Sequence, residues 1–188
     1  MSDFPTLEPA FTIQVVIDPP MGIGSASRGT PLTVVPMLGG TMKSESGFSP
    51  AVDAKFKGVG NDYIHNDPTG KHIRLNAHGV LETSDRAVRL HNSASCRWLL
   101  MYHFQLIYLN YTGIVEVTPA LGAILGGSSE ANTTPYGTSF THLTFETGSE
   151  KYKELETSVF VAAGHFIFEK DKPVVVEYKV SRVKHTSS

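Results

Sequence analysis

The chain has little with which to carry out several common kinds of chemistry. It holds one cysteine, Cys96, among 188 residues. A single thiol makes no internal disulfide, so the chain does not read as one built for an oxidising compartment. Flanked by Ser95 and Arg97, Cys96 reads as a small hydrophobe rather than a nucleophile. Charge is sparse as well: Asp, Glu, Lys and Arg make up 18% of the residues, with a net charge of −2. The basic residues are scattered, which leaves no stripe for a nucleic-acid backbone. Long apolar runs are missing. The most apolar stretch, Trp98 to Tyr111, is about 14 residues and is broken by His103 and Gln105, short of the roughly 20 that a spanning helix needs. A membrane partner is therefore not expected. The first residues, Met1 to Pro5, are acidic and lack a basic-then-apolar secretory pattern, so the expected location is cytoplasmic.

Motifs for cofactors and nucleophiles are equally scarce. Gly-x-Ser-x-Gly does not occur, and Gly22-x-Gly24 lacks the third glycine of a dinucleotide loop. None of the eight histidines forms the i, i+4 pair of a zinc hydrolase. His72 and His78 share a strand face but lie about 20 Å apart, too far for one metal. The expectation is neither metal nor cofactor.

What is present is alternation. Phe11, Ile13, Val15 and Ile17 alternate with polar residues, as do Ile73, Leu75, Ala77 and Leu81, and Val174, Val176, Tyr178 and Val180. That is the period of half-buried strands. Turn chemistry separates the runs at Pro19-Pro20, Leu38-Gly39-Gly40, Asp67 to Gly70, Gly126 to Ser128 and Glu169 to Pro173. Seventeen glycines and eleven prolines suit short strands. Helix is expected only within 149–157, where Ser149 can cap and Tyr152 and Leu155 share a face. The stretch 126–137 reads as a mobile loop. The ends, about 1–9 and 184–188, are expected to be loose. The fold class that follows is all-β: one domain over 1–188, an antiparallel β-barrel with at most one or two short helices, since closure hides sheet edges best. A β-sandwich is the competing architecture.

The strand from His72 to Glu82 carries the most chemistry. One face shows His72, Arg74, Asn76, His78 and Glu82. Two readings stay open: a polar cavity lining, or a solvated outer face of the ordinary kind. In the first, His78 can move a proton near neutrality.

The ordered motifs Arg28-Gly29, Val34 to Gly40, Gly58 to Tyr63, Leu75 to Asp85, and Phe145 to Gly148 with Tyr152 and Leu155 resemble the domain-of-unknown-function 3237 family, small β-barrel proteins of bacteria and filamentous fungi. The resemblance spans about Phe11 to Val183. It implies a compact antiparallel barrel that self-associates, without a settled activity, and fungal members often accompany specialised-metabolite pathways. The family's Asp-aromatic pair falls on Asp62 and Tyr63. Its Leu-Asp-x-Arg falls on Leu75 to His78, so Asn76 and His78 replace the usual Asp and Arg. A paired exchange of that kind spares an unpaired buried charge, which favours the cavity reading. The segment 95–109 fits the pattern poorly and reads either as a genuine insertion, a lid or dimer strand, or as a translated intron.

The functional expectation is a small organic molecule held inside the barrel. The first form is a cofactor-independent isomerase, cyclase or dehydratase for a polyketide-like or aromatic intermediate, with His78 or Asp62 as proton carrier. Tyr63, Arg74, Asn76 and Glu82 would bind the substrate. Alternatives are a non-catalytic carrier barrel or a structural protein. Asp62, Tyr63, Arg74, Asn76 and His78 are expected to converge inside the barrel.

Overall fold

The computed structural model describes residues 3–58, 60–91 and 99–185. Cys96, Trp98 and the first part of the expected insertion lie outside the described residues. Ten strands follow in chain order: β1 (Thr6–Ile17), β2 (Met21–Gly24), β3 (Leu32–Ser44), β4 (Asp53–Phe56), β5 (Gly60–Asn66), β6 (His72–His91), β7 (Leu99–Glu116), β8 (Ser139–Thr147), β9 (Phe160–Ile167) and β10 (Val175–Lys184). Between β7 and β8 lies a helix, α1 (Pro119–Leu125), and between β8 and β9 a 3₁₀ turn (Lys153–Leu155).

Neighbouring strands are antiparallel, and the sheet closes on itself. From β6 it runs through β7, β8 and β9 to β10, which pairs with β1. Strand β1 also pairs with β3, and β3 returns to β6 through β4 and β5. This closure distinguishes a barrel from a sandwich. Strands β1 and β3 approach closely at Gly40, whose φ is +144° and where an added Cβ would sit 1.9 Å from the Gln14 carbonyl oxygen. Only glycine admits that contact. The expected turn at Leu38 to Gly40 is in fact a bend within β3, with an irregularity in the β1–β3 register beside it.

The barrel interior has two levels. At one end Phe11, Phe48, Phe145 and Phe160 touch ring to ring with centroids 4.8–6.4 Å apart, and Tyr152 and Leu155 are buried in the same core. Edge-on aromatic contacts of this kind fill space and hold orientation. At the other end the inward residues include Ile73, Leu75, Val176 and Phe166, and they leave a hollow.

Several expectations shift. Helix within 149–157 is confined to the 3₁₀ turn, while α1 was not anticipated. Thr118 caps α1 by accepting from the Leu121 N–H, Pro119 opens it, and Leu121 and Ile124 are buried. The stretch 126–137 is tied down: Thr134 exchanges hydrogen bonds with the Phe166 backbone through its own N–H and its hydroxyl, both at 2.9 Å. Thr6 to Pro9, expected to be loose, pair with Ser181 to Lys184. Ile107 and Leu109 are wholly buried and pair with β8, so this part of the expected insertion is barrel wall. Among the described residues no helix is long and apolar enough to cross a membrane.

Candidate functional site

The parity of each strand decides which side chains meet. On β6 the odd residues Ile73, Leu75, Ala77 and Leu81 point inward. Their even neighbours must therefore point outward, because successive side chains alternate across the sheet. Arg74, Asn76, His78 and Glu82 are thus on the outer surface, and the expected convergence inside the barrel does not occur. The apolar file claims the closed interior and leaves the polar file to solvent. Tyr63, 39% exposed, is outside for the same reason, as the odd neighbour of inward Asp62 on β5.

The outer residues have structural partners. Arg74 holds Asp67 in the β5–β6 turn by two parallel bonds, Nε to Oδ1 at 2.8 Å and Nη2 to Oδ2 at 3.0 Å. That fork keeps the Asp67 carboxyl below its ordinary range. Glu82 pairs with Lys57. His78 Nδ1 lies 2.5 Å from the Tyr108 hydroxyl, and Asn110 Nδ2 donates to Asn76 Oδ1 at 3.3 Å and to the Ala77 carbonyl at 2.9 Å. The exchange at Asn76 and His78 is thus not an internal pair.

Asp62 alone of the expected residues enters the barrel, and it is 6% exposed. Its Oδ1 accepts the backbone N–H of Asn76 at 2.9 Å, so Asn76 serves this carboxyl through its main chain. Burial raises the Asp62 carboxyl from 3.8 to about 7, against the opposing pull of that N–H. Desolvation penalises the charged form, and one hydrogen bond does not offset it.

Asp62 lies in the wall of a cavity of about 250 Å³. This is just below the roughly 300–1,000 Å³ of drug-sized ligand pockets. Val35, Ile73, Leu75, Phe166 and Val176 supply its apolar lining; Tyr111, Tyr178, Thr33 and Asn66 join Asp62 as its polar groups. Pro20 and Leu125 bring the β1–β2 turn and the end of α1 to the same space. Tyr111 and Tyr178 are buried, with ring centroids 5.3 Å apart. Tyr111 also lies 3.7 Å from Met37 Sδ. Burial, with Asp62 close by, pushes both phenols above their ordinary range, so they stay protonated as donors.

The sequence reading missed both tyrosines. The signal was available: Tyr178 sits in the apolar file Val174, Val176, Val180, and Tyr111 in the file Ile107, Leu109, Val115. A tyrosine in an inward file carries its hydroxyl into the core, where it needs a partner. Among the described residues, no cluster of three or more His, Cys, Asp or Glu side chains could hold a metal ion.

Comparisons agree with this architecture. The family model described as protein of unknown function, DUF3237, matches residues 5–183. A conserved protein of unknown function from Rhodopseudomonas palustris is 21% identical, with a TM-score of 0.68 over 97% of this chain and 99% of that one. A β-barrel-like protein from Acinetobacter baumannii is 22% identical, with a TM-score of 0.66 over 98% and 99%. A protein from Penicillium herquei described as an enzyme is 16% identical, with a TM-score of 0.56 over 96% and 95%. At these identities the likeness is one of fold. No curated protein matches the chain.

Proposed function

This chain belongs to the DUF3237 family of proteins of unknown function, and from that premise we propose that its barrel binds a small organic molecule and moves a proton on it without a cofactor. One observation carries the reading: the Asp62 carboxyl, buried in an apolar cavity, is raised to about 7. A general acid–base group works best when its pKa lies near the ambient pH, because both protonation states are then populated. Perturbed carboxyls in hollows of this kind mark functional sites more often than chance.

The chemistry that suits the arrangement is isomerisation, cyclisation or dehydration next to a carbonyl. Asp62, as carboxylate, takes a proton from the carbon beside the carbonyl. The electron pair moves onto the carbonyl oxygen, which accepts a hydrogen bond from the Tyr111–Tyr178 pair. Asp62 then returns the proton at another carbon, or to a departing hydroxyl, and ends as it began. The phenols supply directional donors in a low-dielectric site, where such donors count for more than in water. The structural likeness to an enzyme from Penicillium herquei agrees with a catalytic use of the fold. A polyketide-like or aromatic substrate suits the apolar walls.

The test is metabolite profiling in the native host with the gene replaced by its Asp62→Asn form. The expected result is accumulation of one small oxygenated compound and loss of an isomer or dehydrated product of it. An unchanged profile would rule out catalysis by Asp62.

A further inference from the structure

Beside the cavity lies a polar feature that the proton chemistry leaves unused. Ser139 and Thr141 sit two residues apart on the inward file of β8, 0% and 4% exposed. Neither hydroxyl has a hydrogen-bond partner among the described residues. Native interiors contain few such groups, and each calls for an explanation.

The wall around them is stripped of bulk. In the ladder Thr141 lies between Gly113 and Ala162, and Ser139 between Val115 and Gly164. The ring of Tyr178 covers the last of these. A Cβ built on Gly164 would meet Tyr178 ring carbons at 2.6 and 2.7 Å and Ser139 Oγ at 3.1 Å. Ring and hydroxyl therefore pack on the same glycine. Tyr178, which also lines the cavity that holds Asp62, thus lies beside Ser139. Turning the Tyr178 ring off Gly164 would open a way from the cavity to the Ser139 hydroxyl.

Charge narrows what the cavity accepts. Among the described residues, no lysine, arginine or histidine lines the cavity. A permanent anion would find no counter-charge there, and a buried unpaired charge is strongly disfavoured. A hydroxyl both donates and accepts, so Ser139 and Thr141 suit a carbonyl or a hydroxyl oxygen equally.

We propose that Ser139 and Thr141 form a second oxygen-binding subsite, beside Tyr178, and that the ligand is a neutral molecule bearing oxygen at both ends. The inference rests on reading the Asp62 cavity as the ligand site.

The probes are 2-naphthol and 2,6-dihydroxynaphthalene, titrated by fluorescence against the full chain and its Ser139→Ala/Thr141→Val variant. The diol should bind the unaltered protein about tenfold more tightly, the factor that corresponds to about 1.4 kcal/mol. The double variant should lose that advantage, bind 2-naphthol as before, and melt no lower, since no protein hydrogen bond is removed. A diol advantage that survives in the variant overturns the subsite. So does a variant that melts several degrees lower with its diol preference intact, because the hydroxyls would then be serving a structural water. Failure of both probes to bind overturns the ligand class. The Asp62 reading is judged separately, by 2-naphthol affinity against pH: a dependence centred near 7 that vanishes in Asp62→Asn supports it, and a flat profile in the unaltered protein removes it while the diol comparison still judges the subsite.

Discussion

Asp62 and Tyr111 flank Ala77 across three adjacent strands: Asp62 pairs with Ala77 on one side, and Ala77 pairs with Tyr111 on the other. All three residues point inward, and the middle one is a methyl group. The carboxyl and the phenol can therefore approach each other over Ala77, and Asp62 helps to push the Tyr111 phenol upward. A larger residue at 77 would separate them.

Asp62→Asn should uncouple stability from pH. The folded carboxyl, at about 7, lies above its unfolded value of 3.8. Between those values the folded state holds more proton than the unfolded one, so stability falls as pH rises from about 4 to about 7 and then levels. Three units correspond to about 4 kcal/mol as an upper figure. Urea denaturation at pH 4.5 and pH 8 should show much of this loss in the unaltered protein and a smaller loss in the variant. Equal slopes with pH in both would remove Asp62 as the source.

Gly164→Ala should strain the tyrosine pair. The new methyl would lie 2.6 Å from a Tyr178 ring carbon, and overpacking of a core costs about 1–3 kcal/mol. The denaturation midpoint should fall accordingly, and the near-ultraviolet dichroism of the tyrosines should change. A variant with unaltered stability and spectrum would mean that Tyr178 does not rest on Gly164.

His78→Ala should leave the cavity untouched. The imidazole is outside the barrel and bonds Tyr108, a contact worth about 0.5–1.5 kcal/mol. A small stability loss with unchanged 2-naphthol binding is expected. Abolished binding would put His78 back among the site residues.

Phe160→Ala should damage the aromatic end of the barrel without reaching Asp62. Phe160 is wholly buried and touches Phe11, Phe48 and Phe145. Truncation of a core phenylalanine costs about 3–5 kcal/mol. Calorimetry should show that loss, while the pH dependence of stability still levels off near 7.

The alternation at Phe11 to Ile17 and at Ile73 to Leu81 was enough to read strands, because a period of two needs no tertiary context. The sequence alone leaves open which side of β6 faces inward, since a cavity lining and a solvated face show the same polar file. Closure settles it: one barrel has one interior, and the file of Ile73, Leu75 and Leu81 takes it. The motif resemblance singled out Asp62, whose side chain points inward, but drew its neighbours inward with it, and parity sent Tyr63 out. Helix α1 carried a start signal in Thr118-Pro119, which the glycines at 122 and 126 obscured. In the sequence Tyr178 shows only as one of an alternating apolar file, because Tyr111 is distant in sequence and meets it only across the barrel.

The seam between β1 and β10 binds residues 178 positions apart, as at Thr6 and Lys184. During synthesis the first strand leaves the ribosome long before its partner exists. Until β10 emerges, β1 has only β3 beside it, and β9 has only β8. The growing chain therefore presents two bare strand edges, open to pairing with other chains, and the cavity around Asp62 comes into being only with the last strand. Slow, late closure of this kind is the expected cost of long-range strand pairing.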